Sequence, residues 1–184
     1  MGKIYLSSDL HFGHDREFIW GARGYNSVDE MNKEQLRKYN EIVTDEDDVY
    51  LLGDLMLGDA EAGKEFLSQL KGKIHVIIGN HDTSARIKIY ESFGWDVQYA
   101  TVIKYKKYQF YLSHYPTLTA NFDVESLRQA VINMFGHTHQ TTNFYQDIPF
   151  MYHVGVDSHN GYPVLLDDAI EEMYAKVDEC KKLL

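Results

Sequence analysis

Histidines and carboxylates recur in this chain in short, separated groups: Asp9-Leu10-His11, Gly53-Asp54, Gly79-Asn80-His81-Asp82, a separate His114, and Gly136-His137-Thr138-His139. Imidazole nitrogens and carboxylate or amide oxygens are the donors that borderline divalent cations accept. His11, His114, His137 and His139, with Asp9, Asp54 and Asn80, suffice for two such cations. Asp54 is the natural bridge, because one carboxylate can offer one oxygen to each ion. A lone histidine of this set reads more simply as a buried hydrogen-bonding residue, so it is the recurrence that favours a shared site. Gly53, Gly79 and Gly136 stand immediately before candidate ligands, where the chain must turn or let other atoms approach closely. The chain carries neither a phosphate-cradling Gly-Lys-Ser/Thr loop nor a dinucleotide-binding fingerprint.

Each group follows an apolar run short enough to be a strand. Strands are expected over residues 3–8, 49–52, 73–78, 97–105, 108–113, 130–135 and 149–156. Ser27 opens a capping box with Glu30 for a helix to about residue 43, with Met31, Tyr39 and Ile42 near one face. Asp59 caps a helix over 60–70 that Gly72 stops, and Thr83 or Ser84 caps another ending at Gly94. Lys106-Lys107 marks a hairpin turn, 122–128 a short helix, and Asp168 with Glu171 caps a long helix bearing Ile170, Met173, Tyr174, Val177 and Cys180. Strand–helix alternation in the first half implies a largely parallel sheet, whose strand carboxyl ends border the usual ligand crevice.

At 184 residues the chain can bury roughly 70% of its extended surface, enough for a core that needs no staples. Its single cysteine, Cys180, rules out an internal disulfide or cysteine-based zinc cluster and suggests a reducing compartment. No secretory signal and no run near the about 18 apolar residues of a membrane span is visible, so a cytoplasmic location is expected. The net charge of -10 argues against a broad grip on nucleic-acid backbones, though not against a small anionic substrate.

The five patterns, in order across residues 9–139, resemble those of the calcineurin-like metallophosphoesterases, in particular the small bacterial or phage-type members. The resemblance implies a two-sheet α/β sandwich flanked by helices, occupying residues 1–184 as one domain. It implies two divalent metal ions, manganese placed first, with iron, zinc or nickel as alternatives. One ion would be held by Asp9, His11, Asp54 and His139, the other by Asp54, Asn80, His114 and His137. His81 resembles the family's non-ligand catalytic histidine and Asp82 the carboxylate that orients it. The implied activity is phosphoester hydrolysis by a hydroxide bridging the ions, on a small soluble phosphomonoester or phosphodiester. A nuclease or nucleotide phosphodiesterase is the nearest alternative, and a non-catalytic scaffold a more distant one. No membrane partner is expected, long nucleic acid is disfavoured, and the oligomeric state is left open.

Several neighbours carry weaker expectations. His14, Arg16 and Arg23 could face substrate or form an outer shell around the ligands. Trp20 and Tyr25 lie in the same segment. His75 reads as a sheet residue, and His153 and His159 as polar supports near the Gly155 turn. Asp157 could line an outer substrate surface. Specificity is expected from the loops at 12–27, 115–123 and 141–150.

Overall fold

The computed structural model describes residues 2–121 and 126–182. Apolar residues alternate along β1 (Ile4–Ser7), β2 (Asp48–Leu51) and β3 (Lys73–Ile77), so successive side chains enter different cores. Tyr5, Val49, Leu51, Ile74 and Val76 share one core with Tyr39 of α2 (Val28–Ile42), Leu67 of α3 (Ala60–Leu67) and Tyr90 of α4 (Ser84–Ser92). On the other side, Leu6, Leu52 and Ile77 meet Phe110, Leu112, Ile132, Met134 and Tyr152 of the second sheet, joined by Ile170, Met173 and Val177 of α5 (Leu166–Lys182).

The first sheet is ordered β4-β3-β2-β1-β9. β4 (Asp96–Gln98) runs parallel to β3, and β9 (Val164–Leu165) antiparallel to β1. The second is ordered β5-β6-β7-β8, from β5 (Ala100–Tyr105), β6 (Tyr108–Ser113), β7 (Val131–Phe135) and β8 (Met151–His153). β5 and β6 form an antiparallel hairpin, whereas β6, β7 and β8 are parallel. The chain is thus an α/β sandwich of two mixed sheets with helices on its flanks. Parallel β1, β2 and β3 present their carboxyl ends together, as do β6, β7 and β8. A parallel bridge between Ser8 and Gly155, with Val156 N–H donating to the Ser8 carbonyl at 3.2 Å, ties the two sets of ends.

Local signals set most element boundaries. Ser27 Oγ accepts the Glu30 amide at 3.1 Å, while the Glu30 carboxylate reaches back to the Asn26 amide at 2.7 Å, which fixes the start of α2. Asp59 accepts the amides of Glu61 and Ala62 and opens α3. Lys106 (φ 46°) and Lys107 (φ 73°) make the two-residue left-handed turn that suits the twist of the β5–β6 hairpin.

Two expectations change. The single strand over 97–105 is two strands in different sheets, and Tyr99, 81% exposed, marks the crossing. Its run of strand-forming residues hides the break, because the sheet each half joins is decided by partners elsewhere. α5 begins at Leu166, directly after β9, so Asp167 and Asp168 lie in its first turn, where they complement the helix dipole; Asp168 is not the cap. Of the short helix expected at 122–128, residues 122–125 lie outside the described residues; after them the amides of Gln129 and Ala130 turn back onto the Ser126 carbonyl. Two short elements, β9 and α1 (Glu17–Trp20), were not expected. Cys180 is half-buried on α5. Among the described residues no helix is long and apolar enough to cross a membrane.

Candidate metal centre

The strand ends deliver the sequence-identified donors to one place, and the backbone there is unusual. Asp9 (φ 58°), His11 (53°), Asp54 (56°), His137 (67°) and His139 (48°) all adopt the left-handed conformation. That region costs a non-glycine residue on the order of 1 kcal/mol or more, and such strain persists only where surrounding contacts hold it. Those contacts are present: Asp9 N–H donates to the Gly53 carbonyl at 3.0 Å, His11 N–H to the Asp54 carbonyl at 3.1 Å, and His137 N–H to Asp9 Oδ2 at 2.9 Å. The loops after β1, β2 and β7 therefore brace one another while turning their side chains inward.

Two donor clusters result. In the first, His11 Nε2 lies 3.3 Å from His139 Nε2, and these atoms lie 3.9 and 3.8 Å from Asp9 Oδ1. In the second, His114 Nε2 lies 3.5 Å from Asp54 Oδ2 and 2.9 Å from Asn80 Oδ1, which is also 2.7 Å from His137 Nδ1. Ligand atoms of Asp9, Asp54 and His114 lie within 4.8 Å of one another, so Asp9 borders both clusters.

The donor chemistry fits divalent cations. Asp9 is fully buried, and its Oδ2 accepts Ser8 Oγ at 2.6 Å as well as the His137 amide. Its Oδ1 has no partner among the described residues, and burial raises its pKa. A buried carboxylate oxygen left bare is destabilising unless a cation offsets it. His114 poses the same requirement differently. Its Nδ1 faces the Leu52 carbonyl at 2.7 Å, and Nε2 faces the oxygens of Asn80 and Asp54. Burial works against protonation of this ring, but contact with Asp54 outweighs it and raises the His114 pKa. A divalent cation would take the place of a proton on Nε2 and make that atom and the oxygens it faces ligands.

Asp54 shows how finely its two oxygens are divided. Oδ1 accepts the His81 amide at 2.8 Å, and Oδ2 is the oxygen beside His114. Burial works against ionisation of Asp54, but contact with His114 and the His81 amide holds its pKa below the ordinary value. Glycine is required beside it, because a Cβ on Gly79 would collide with Asp54 Oδ1 and lie 2.6 Å from the Asp54 nitrogen. A Cβ on Gly136 would likewise strike Ser8 Oγ and sit 2.5 Å from Asp9 Oδ2.

His81 stands at the mouth. Its side chain is 46% exposed, with Nε2 4.0 Å from Asp54 Oδ2 and its ring 5.7 Å from that of His11. Asp82 does not orient this ring as expected. Its carboxylate accepts the amides of Gly79 at 2.7 Å and Asp54 at 2.9 Å and the Tyr90 hydroxyl at 2.7 Å, so it locks the two glycine loops together from below. A carboxylate so engaged directs Oδ2 to the backbone and Oδ1 to the Tyr90 hydroxyl. His14 adjoins the centre, its ring 5.4 Å from that of His11, and its buried Nδ1 lacks a partner among the described residues. Burial, then the charges of His81 and Arg16, lower its pKa.

Arg23 acts behind the ligands. Its guanidinium pairs with Asp157 at 2.8 and 3.1 Å and donates to the carbonyls of Asp9 and Leu10. Asp157, which could line an outer substrate surface and does line a cavity beside His139, accepts from His139 Nδ1 at 2.9 Å, which turns Nε2 toward His11. Burial alone would raise the Asp157 pKa; the His139 and Arg23 contacts outweigh it and hold the pKa well below the carboxylate range. This carboxylate–histidine support was missed because the partners are 18 residues apart on different strand ends. Asp157→Asn is expected to weaken metal binding about 10- to 100-fold, the usual consequence of losing such a support. Calorimetric titration with Mn2+ measures it, and an unchanged affinity in a folded variant removes the assigned role.

The remaining candidates lie outside the clusters. Arg16 is exposed and precedes α1 without a side-chain capping bond. His75 stacks on Tyr50 at 4.7 Å within the first sheet. His153 is buried against Ser158 at 2.7 Å, its pKa pushed down to about 3 by burial, and His159 contacts the His153 carbonyl at 2.8 Å. Tyr115 opens the loop at 115–123, of which residues 122 and 123 lie outside the described residues, and stands edge-on to His137 and His114 at 4.8 and 5.1 Å.

Comparison with known proteins agrees with this geometry. The chain is 37% identical over 177 residues to an uncharacterized protein of Methanocaldococcus jannaschii, covering 91% of this chain and 89% of that one. It is 27% identical over 220 residues to the gene 66 protein of Mycobacterium phage D29, covering 97% and 99%. A crystal structure of an Aquifex aeolicus protein of unknown function superposes with a TM-score of 0.68 at 22% identity, over 94% of this chain and all of that one, and so shares the fold. Residues 3–156 match the model of the calcineurin-like phosphoesterase superfamily domain, and with two His/Asp clusters at the strand ends, the chain belongs to that superfamily.

Proposed function

We propose that this chain hydrolyses small soluble phosphomonoesters or phosphodiesters, with residues 1–184 acting as one domain. The observation that carries the reading is the bare, fully buried Asp9 Oδ1 between two clusters of neutral and anionic donors. Asp9, His11, Asp54 and His139 would hold one divalent ion, and Asp54, Asn80, His114 and His137 the other, with manganese the first choice. When bound, such ions activate water and neutralise charge on phosphoryl oxygens.

The protein's own groups supply the rest. Hydrolysis forms a bond from a water oxygen to phosphorus, breaks the ester P–O bond, and passes a proton to the departing alcohol oxygen. His81 is exposed at the mouth and outside both clusters, which supports its contacting the phosphoryl group and delivering that proton. Its backbone N–H meanwhile orients Asp54, so residue 81 acts through two separate atoms. Asp82 and Tyr90 keep the Gly79 and Gly53-Asp54 loops in register beneath it. Small substrates are favoured by the charge of -10 and by Lys106, whose ammonium is tied to Asp167 at 2.8 Å rather than free for a nucleic-acid track.

Metal quantification after reconstitution, followed by parallel assays of p-nitrophenyl and bis-p-nitrophenyl phosphate, tests the proposal. Two bound ions with hydrolysis of either ester are expected. A chain that stays metal-free and inactive under Mn2+, Fe2+, Zn2+ and Ni2+ favours the non-catalytic scaffold.

A further inference from the structure

A cavity of about 310 Å3 opens beside the first donor cluster, with His139 in its wall. Its other walls include Arg23, Tyr25, Gln35, Lys38 and Asn160. Gln35 and Lys38 come from one face of α2, three residues apart, and the remaining groups come from the loops after β1 and β8. The cavity therefore forms only when distant segments meet, next to a residue that would bind metal.

Two features of this wall call for a ligand. Gln35 is 1% exposed; its Nε2 donates to the Leu10 carbonyl at 3.1 Å, and its Oε1 has no partner among the described residues. A buried amide oxygen left unsatisfied is destabilising, and a hydroxyl or N–H group that reaches it as the cavity fills would relieve it. Lys38 contributes a positive charge. Its ammonium is held by the Asn160 carbonyl at 2.8 Å and the Tyr25 hydroxyl at 3.3 Å, between the rings of Tyr25 and Tyr162 at 5.7 and 5.6 Å. These contacts are all neutral, and an ammonium has three protons to donate. Arg23 and Asp157 offset each other nearby, so Lys38 supplies the cavity's uncompensated charge.

We infer that this cavity receives the alcohol part of the substrate, and that this part bears hydroxyl groups and a second anionic group, as a sugar bisphosphate does. Lys38 takes the second anion and Gln35 Oε1 accepts from a hydroxyl, while the reacting phosphoryl group lies at the metal centre. The inference rests on the phosphoesterase reading for the word substrate, but occupancy of the cavity can be tested without catalysis.

The test uses the full chain in two states. Metal-free, 15N-labelled protein is titrated with ribose 5-phosphate, with ribose, and with inorganic phosphate. Ribose 5-phosphate is expected to shift the Gln35 side-chain amide and the Asn160 and Gly161 backbone signals, and the separate halves to do so only at higher concentration. Lys38→Met should weaken that binding about ten-fold or more, the scale of one charged hydrogen bond, and Lys38→Arg should restore much of it. Metal-loaded protein is then assayed on a hexose bisphosphate and on p-nitrophenyl phosphate, and Lys38→Met should lower the ratio of their kcat/KM values about ten-fold. Absent shifts at the cavity, or an affinity and a ratio both indifferent to Lys38, overturn the assignment. If ribose 5-phosphate binds through Lys38 but no ester is hydrolysed, the phosphoesterase reading fails while the anion-binding cavity stands.

Discussion

Asp54→Ala is expected to lose metal at both positions, with phosphoester hydrolysis falling to background. Asp54 is the one carboxylate assigned to both ligand sets, with Oδ2 3.5 Å from His114 Nε2 and Oδ1 held by the His81 amide. Alanine removes the shared negative charge that would offset repulsion between two cations, so loss at one position carries loss at the other. It also leaves the His81 amide without its acceptor. Asp54→Asn separates these effects, because its amide oxygen can still accept from that N–H while the charge is gone. Metal content by mass spectrometry and hydrolysis of bis-p-nitrophenyl phosphate are the two readouts. A folded Asp54→Ala protein that keeps two ions and full activity defeats the shared-ligand assignment.

His81→Ala has the opposite signature. Both ions are expected to remain, because the ring lies outside the clusters and alanine retains the backbone N–H that Asp54 Oδ1 accepts. Turnover is expected to drop about 10²- to 10⁴-fold, the range for losing a general acid. The drop should be larger for an alkyl ester than for a p-nitrophenyl ester, whose phenolate departs readily without a proton. Equal losses on both esters would reassign His81 to phosphoryl binding alone. Loss of both ions in a folded variant would instead make it part of the metal site.

Residue type and spacing made much of the centre readable in advance. Asp9, His11, Asp54, Asn80, His114, His137 and His139 were identified from the sequence, and the strand ends bring them together. Ser27, Asp59 and the Lys106-Lys107 turn were equally legible, since a cap or a tight turn is settled within a few residues. The misreadings have a common origin. Strand 97–105 broke at Tyr99 because sheet membership depends on partners far along the chain. Asp82 lies beside His81 in sequence yet turns its carboxylate to Gly79, Asp54 and Tyr90. The support Asp157 gives His139 was not legible, because neither Arg23 nor His139 lies near it in the chain.

The amino-acid order by itself determined the inventory: which donors exist, that they follow strands, and that glycines precede several of them. Tertiary structure alone decided which atom of each donor is spare. Leu52 engages Nδ1 of His114, Asp157 engages Nδ1 of His139, Ser8 and the His137 amide occupy Oδ2 of Asp9, and the His81 amide occupies Oδ1 of Asp54. A side chain carries its lone pairs wherever it sits, but the direction of the free one is set by the hydrogen bond made with the other. Most of those partners lie far away along the chain, within reach only once the two sheets have met.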